Sequence, residues 1–295
     1  MIESFKVMYM DSLQIVKSNN LISSGSFKFY LVQDGYYRLD GGAVYGMVPK
    51  LIWEKFERYD DQNRLFMSLN CLVAIRGKQV FLVDAGIGDK LDEKGRTIFA
   101  IEKDKTLLEE MAEIGVKPRD VTHVLLTHLH FDHVGWVTDN DGNITFPNAK
   151  FYVQKAEWEE AFNPHIRFKN SYLINYYKTL LGNPNLVLLE GDAEIEKGVF
   201  ALLVPGHSKG SQVFLFDSGE RKFAHFGDVT AIATMVRQNW ACGYDREPEL
   251  AIDNKLSLLN RAYEENWLIM TAHDRTIRVG EIESVHGKYR LKKVL

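Results

Sequence analysis

Short runs of β-branched and aromatic residues alternate along this chain with a few stretches of helical spacing, and turn residues punctuate both. Apolar runs of four to eight residues bounded by Gly, Asp or Pro read as buried strands. On that basis residues 65–75 and 79–83 are strands around the turn Arg76-Gly77-Lys78. Further strands cover 121–127, 150–153, 199–204, 212–216, 222–226 and 268–271. Asp104 caps a helix that runs through Glu113, with Gly115 just past its end and Pro118 preventing continuation. Residues 248–265 carry Leu250, Ile252, Leu256, Leu259 and Tyr263 at helical spacing, and His286-Gly287 marks a hairpin turn.

The residues just past the strands change the picture. The run 79–83 ends at Asp84, and 121–127 ends at His128-Leu129-His130-Phe131-Asp132-His133. The run 199–204 enters Pro205-Gly206-His207, 222–226 enters Gly227-Asp228, and 268–271 enters Ala272-His273-Asp274. Five apolar strands thus each release a metal-ligating or ligand-orienting group at the carboxyl end, as rigid strands do when they aim residues on short loops.

Composition narrows the alternatives. At 295 residues, 45% hydrophobic and 26% charged, the chain has the balance of a globular protein with a substantial core. No linker divides it, so we expect a single domain over 1–295, with an N-terminal extension (about 1–64) and a helical insert (about 154–182). The net charge of −4 lacks the basic stripe of a nucleic-acid binder, and Lys288-Tyr289-Arg290-Leu291-Lys292-Lys293 reads as a solvated edge strand. No apolar run reaches membrane-span length, and Met1-Ile2-Glu3-Ser4-Phe5-Lys6 lacks the core of a secretory signal. The expectation is a cytoplasmic protein with a small-molecule substrate, no nucleic acid and no membrane. Cys71 and Cys242 form no Cys-x-x-Cys pair and read as small buried hydrophobes.

Three imidazoles and a carboxylate within six residues suit zinc and other borderline divalent ions. A lone His-x-His would read as core histidines; this cluster, with three further candidates downstream, does not. His123 and His225 lie inside strands and read as core or face residues, while His165 and His286 sit in polar turns. None of these four is assigned a metal role.

The motif series strongly resembles the metallo-β-lactamase-fold hydrolases. Their His-x-His-x-Asp-His motif is matched by His128, His130, Asp132 and His133, and their later positions by His207, Asp228 and His273. Asp84 in Val-Asp-Ala-Gly matches a carboxylate that supports the ligands. The resemblance implies an α/β fold, a four-layered αβ/βα sandwich of two mixed β-sheets flanked by helices. It also implies two zinc ions, with iron or manganese as alternatives. One would sit on His128, His130 and His207, the other on Asp132, His133 and His273, with Asp228 bridging. A metal-bridging hydroxide would be the nucleophile and Asp132 a proton carrier to the leaving group.

Within the family, Asp228 argues against the antibiotic-degrading members with cysteine there, and His130 against the flavodiiron type. Leu-Thr-His-Leu-His-Phe-Asp-His is close to the string of the quorum-quenching lactonases, and residues 39–50 resemble an element of a branch related to them and to methyl-parathion-hydrolase-like enzymes. Those lactonases carry a tyrosine three positions after the bridging aspartate, where this chain has Ala231. The implied activity is hydrolysis of a small ester or lactone, acyl-homoserine-lactone-like. The alternatives are a phosphotriesterase or thioesterase, a persulfide dioxygenase with iron, or a non-catalytic metal-binding module. A homodimer is the assembly the family suggests. The substrate-binding residues are unknown; the aromatic stretch with Trp158, Phe162, Phe168, Tyr172, Tyr176 and Tyr177 is either a pocket wall or core.

Overall fold

The computed structural model describes residues 7–10, 13–16 and 20–295, so the segment 1–6, read above against a secretory signal, lies outside the described residues. In chain order the elements are β1 (Val7–Met10), β2 (Leu13–Val16), β3 (Leu21–Ser24), β4 (Phe27–Asp40), α1 (Gly41–Tyr45), α2 (Lys50–Trp53), β5 (Arg64–Arg76) and β6 (Gln79–Val83). Next come α3 (Glu93–Ile98), α4 (Leu107–Glu113), β7 (His123–Leu125), β8 (Lys150–Gln154), α5 (Lys155–Phe162) and β9 (Leu186–Leu189). The second half holds β10 (Ala193–Glu196), β11 (Val199–Leu203), β12 (Gln212–Asp217), β13 (Lys222–His225), α6 (Pro248–Glu264), β14 (Leu268–Met270), β15 (Val279–Val285) and β16 (Lys288–Lys293). Strands β1 to β9 form one sheet and β10 to β16 the other, each in sequence order. Among the described residues no helix is long and apolar enough to cross a membrane.

Alternation along the central strands builds the layers. In β5, Leu72 and Ala74 point to the core between the sheets, while Cys71 and Val73 point to the helix-covered face. In β12, Phe214 and Phe216 point inward and Val213 and Leu215 outward. Both faces of these strands are therefore buried, which is why they read as continuous apolar runs. The inter-sheet core is largely aromatic: Phe29 stacks on Phe223 at 4.4 Å between ring centroids, and Phe27 meets Phe216 edge-on at 5.6 Å. One outer core takes Leu107 and Met111 from α4 and Trp158 and Ala161 from α5; the other takes Leu258, Leu259 and Ala262 from α6. The result is the expected four-layered sandwich of two mixed sheets.

Both sheets contain parallel pairing. Strands β6 and β7 pair in parallel in the first sheet, and β13 and β14 in the second. Their carboxyl ends, with that of β11, deliver the loops carrying Asp84, His128, His207, Asp228 and His273, as the strand-end pattern anticipates.

Several local expectations need correction. The cap of α4 is Thr106, not Asp104: Thr106 accepts from the Glu109 backbone and Glu109 returns a bond to the Thr106 N–H, a capping box. Strand β7 is three residues long, because the chain turns toward the site at Leu126. On α6, Leu250 and Tyr263 are exposed, while Lys255 is buried with its ammonium donating to the carbonyls of Met235, Arg237 and Trp240. Much of the insert is not α-helix; beyond α5 it forms two single 3₁₀ turns at Ile174–Tyr176 and Lys178–Leu180. Trp158, Phe168, Tyr172, Tyr176 and Tyr177 lie in the outer core, with Phe162 packed against it. Cys242 is only partly buried, whereas Cys71 is fully so. The basic tail is the edge strand β16 with most side chains exposed, and His286 occupies the hairpin turn at φ 51°.

Two buried carboxylates hold the site loops in place. Asp34, in the bulge of β4 between Gln33 and Tyr36, accepts from the backbone of Ile87, Gly88 and Leu107, from the Trp136 indole and from Lys103, each at 2.9–3.1 Å. It thereby joins the loop after Asp84 to the loop after His133. Where those loops touch, a Cβ on Gly135 would lie 1.9 Å from the Ile87 carbonyl carbon and 2.1 Å from the Gly88 nitrogen, both backbone atoms. Gly135→Ala is therefore expected to cost about 3 kcal/mol or more, read as a fall in the urea unfolding midpoint; an unchanged midpoint would contradict this packing.

Candidate metal centre

Seven side chains predicted from the sequence converge. His128, His130 and His207 form one group; His128, His133 and Asp228 a second; Asp132, His133 and His273 a third. Within each group the ligating atoms lie within 4.8 Å of one another. Asp228 straddles the two halves. Its Oδ2 is 3.3 Å from His207 Nε2 and 3.9 Å from His128 Nε2, while its Oδ1 is 3.4 Å from His133 Nε2 and 3.1 Å from His273 Nε2.

The outer hydrogen bonds decide which nitrogens face inward. His133 Nδ1 lies 2.8 Å from Asp84 Oδ2, His207 Nδ1 2.9 Å from Asp245 Oδ1, and His273 Nδ1 2.9 Å from the Ser68 carbonyl. Carboxylates and carbonyls only accept, so each Nδ1 carries a proton and each Nε2 turns a lone pair to the centre. Thr127 extends the rule to His128: its hydroxyl donates to Asp84, leaving its lone pair for His128 Nδ1–H at 3.1 Å. His133 Nε2 and His273 Nε2 then face each other at 3.2 Å, as do His207 Nε2 and His130 Nδ1. His128 Nε2 and Asp228 Oδ1 are buried with no hydrogen-bond partner among the described residues. The opposed lone pairs of His133 and His273, with the orphaned acceptors, call for positive charge between them. One shared proton satisfies one pair, whereas cations satisfy the set; nitrogen and carboxylate donors of this kind fit borderline divalent ions.

The proton affinities obey the same electrostatics. Burial, reinforced by neighbouring imidazoles, holds His128 and His130 well below the ordinary histidine pKa. Burial also acts to lower His133, but the surrounding carboxylates Asp228, Asp132 and Asp84 outweigh it and raise the pKa well above normal. Burial opposes ionisation of Asp228 too, yet His273 and His133 hold it well below the carboxylate range.

Asp84 is the pivot of this arrangement. It takes a left-handed backbone, φ 58°, and its two oxygens accept from Thr127 N, Thr127 Oγ1 and His133 Nδ1, all at 2.8 Å. Aspartate tolerates that conformation better than most side chains. A second buried carboxylate, Glu157 of α5, accepts from Leu129 N at 2.9 Å, Tyr172 at 3.1 Å, Ser208 at 2.5 Å and Gly210 N at 3.1 Å. It ties the loop of His128 and His130 to the loop of His207. Asp274 spends its carboxylate on the backbone of Ala233, Thr276 and Ile277, orienting the loop after His273.

Sequence reasoning leaves out Tyr37, Glu157 and Asp245. Tyr37 of β4 donates to Asp132 Oδ2 at 2.8 Å, and its burial, with Asp132 second, raises its pKa well above normal. The aromatic run of β4 was a readable strand signal; Asp245 lies in an irregular loop with no spacing relation to His207. The four remaining histidines belong to none of the three groups. His123 stacks on Phe81, His225 is buried at the end of β13, and His165 and His286 are outside the buried set.

A cavity of about 170 Å³ opens over the centre, bounded by Asp132, His130, His207, Asp228 and His273 and walled by Tyr37, Leu39, Val44, Met67, Phe99 and Phe131. Asn170, Ser171, Ala231, Cys242 and Tyr244 complete it. The core aromatics of the insert do not line it.

Comparison with known proteins agrees with this geometry. The Metallo-beta-lactamase superfamily profile matches residues 66–273. An N-acyl homoserine lactonase of Bacillus cereus is 28% identical over 262 residues, covering 84% of this chain and 93% of that protein. A probable metal-dependent hydrolase from Staphylococcus aureus superposes with a TM-score of 0.84 at 27% identity, over 92% of this chain and 99% of its own. A dizinc quorum-quenching lactonase crystallised with a product shares the fold, with a TM-score of 0.78 at 19% identity over 93% and 97% of the two chains. The chain belongs to the metallo-β-lactamase superfamily, as one of its metal-dependent hydrolases.

Proposed function

We propose that this protein is a dinuclear zinc hydrolase of small, uncharged esters or lactones. One observation carries the reading: two sets of inward lone pairs share Asp228 directly beneath a largely apolar cavity. In this proposal His128 Nε2, His130 Nδ1 and His207 Nε2 hold one ion, Asp132, His133 and His273 hold the other, and Asp228 touches both. The bound pair supplies an acidified water and a Lewis acid for the attacked carbonyl.

The chain's own groups account for the rest. Leu39, Val44, Met67 and Phe131 offer no charge to pair with an anionic substrate, so they favour an acyl or alkyl group and displace water around it. Asp132 reaches the cavity floor, where it can take a proton from the attacking water and return it to the leaving oxygen. Relatives named N-acyl homoserine lactonase support a lactone among the candidates.

The direct test is a panel containing a lactone, an alkyl ester, a thioester and a phosphotriester, assayed with zinc-loaded protein and with His130→Ala. Carbonyl substrates should show the highest kcat/KM. His130→Ala should lower it by more than about a hundredfold, since a Lewis acid supplies several kcal/mol. A preference for the phosphotriester would shift the reading to that chemistry, and no metal-dependent turnover on any substrate would refute it. Separately, Asp245→Ala removes the acceptor of His207 Nδ1–H. It should weaken metal affinity by roughly 10- to 100-fold, measured by competition with a chromogenic chelator, with the far-ultraviolet circular dichroism unchanged. Unaltered affinity would show that Asp245 does not set the His207 tautomer.

A further inference from the structure

Tyr37 lies on β4, ahead of the family-matched segment 66–273, so no motif points to it. Its ring packs 5.3 Å from the His273 ring, and its hydroxyl is buried against the site. Among the described residues it makes the one side-chain hydrogen bond to Asp132, at Oδ2, 2.8 Å away. That same oxygen lies 3.8 Å from His133 Nε2 and 3.6 Å from His273 Nε2. Ala231, also on the cavity wall, presents only a methyl group. Beside the ion proposed for it, the carboxylate thus has one hydrogen-bonded anchor among the described residues, and that anchor borders the space where substrate would sit.

Building on the hydrolase reading above, we propose that Tyr37 is the positioning residue that aims Asp132 at the leaving oxygen of the substrate. In the step considered, a bond forms between the water oxygen and the carbonyl carbon, and a water proton passes to Asp132. The bond from that carbon to the leaving oxygen then breaks, and the proton passes from Asp132 to that oxygen. The products are a carboxylic acid and an alcohol, joined in one hydroxy acid when the substrate is a lactone. No electron is transferred, and Tyr37 keeps its own proton throughout. It donates to one carboxylate oxygen, which leaves the other as the carrier and removes the rotational freedom of the Asp132 side chain.

This role has a signature that general loosening of the fold lacks. A poor leaving group, such as an alkoxide, needs the proton; a 4-nitrophenolate does not. Tyr37→Phe keeps the ring and deletes only the donor. For an alkyl ester or a lactone its kcat should fall about thirtyfold, with KM within about twofold of the parent. For the 4-nitrophenyl ester of the same acyl group, kcat should stay within about threefold. Zinc content per chain should remain that of the parent protein. Tyr37→Leu, which also deletes the donor while leaving Asp132 in place, should show the same selective loss on poor leaving groups, and it serves as the second variant if Tyr37→Phe does not fold.

Equal loss on both esters, or no loss on either, would overturn the positioning role while leaving the hydrolase reading intact. A selective loss in Tyr37→Phe accompanied by a fall in zinc content would also overturn it, because the effect would then pass through the metal site and not through the aim of Asp132. If the parent protein cleaves neither ester, the hydrolase reading fails and the role of Tyr37 fails with it.

Discussion

The mutual opposition of imidazole lone pairs is the constraint around which this molecule is organised. Left to themselves, His133 and His273 would rotate to avoid bringing Nε2 against Nε2 at 3.2 Å, and His207 would be free to turn its Nε2 away from the centre. They are prevented by acceptors on the far side of each ring: Asp84, the Ser68 carbonyl and Asp245. The protein thus spends outer hydrogen bonds to keep an electron-rich centre that is unfavourable without cations. Asp228, facing both halves, concentrates the negative charge where the two sets meet.

Holding that geometry requires rigid loops, and the fold supplies them through buried carboxylates instead of through long helices. Asp34 gathers the loops beyond Asp84 and His133, and Glu157 gathers those of His128 and His207. Each is fully buried and each meets several donors, which offsets the cost of removing a carboxylate from water. The aromatic core between the sheets fixes the strand ends from behind, so positions set in β6, β7, β13 and β14 pass directly to the ligands. The candidate site therefore rests on the junction of two sheets, and neither sheet alone contains all seven side chains.

What the sequence disclosed and what it concealed divide along a physical line. Groups that leave a strand on a short loop were legible, because apolar runs ending at Asp84, His128, His207, Asp228 and His273 mark both the strand and its exit. The layered architecture came from the family resemblance, whereas the facing of individual side chains stayed hidden, because β5 and β12 are buried on both faces and read as continuous apolar runs. Groups that act across the fold were hidden. Asp34, Tyr37, Glu157 and Asp245 meet partners 15 to 102 residues away, with no spacing rule to reveal them. Thr106 outranked Asp104 as a cap because the Thr-x-x-Glu pattern satisfies two backbone donors at once. Lys255 hid on the buried face of α6 because its ammonium closes a loop of three carbonyls, which hydrophobic periodicity does not register.

Anomalous diffraction from crystals grown at native metal content would decide whether the converging side chains form one shared centre. Two strong peaks are expected, one among His128, His130 and His207, the other among Asp132, His133 and His273, with Asp228 between them. A single peak confined to one set would contradict the shared centre, and peaks only at the protein surface would contradict the assignment of these residues altogether.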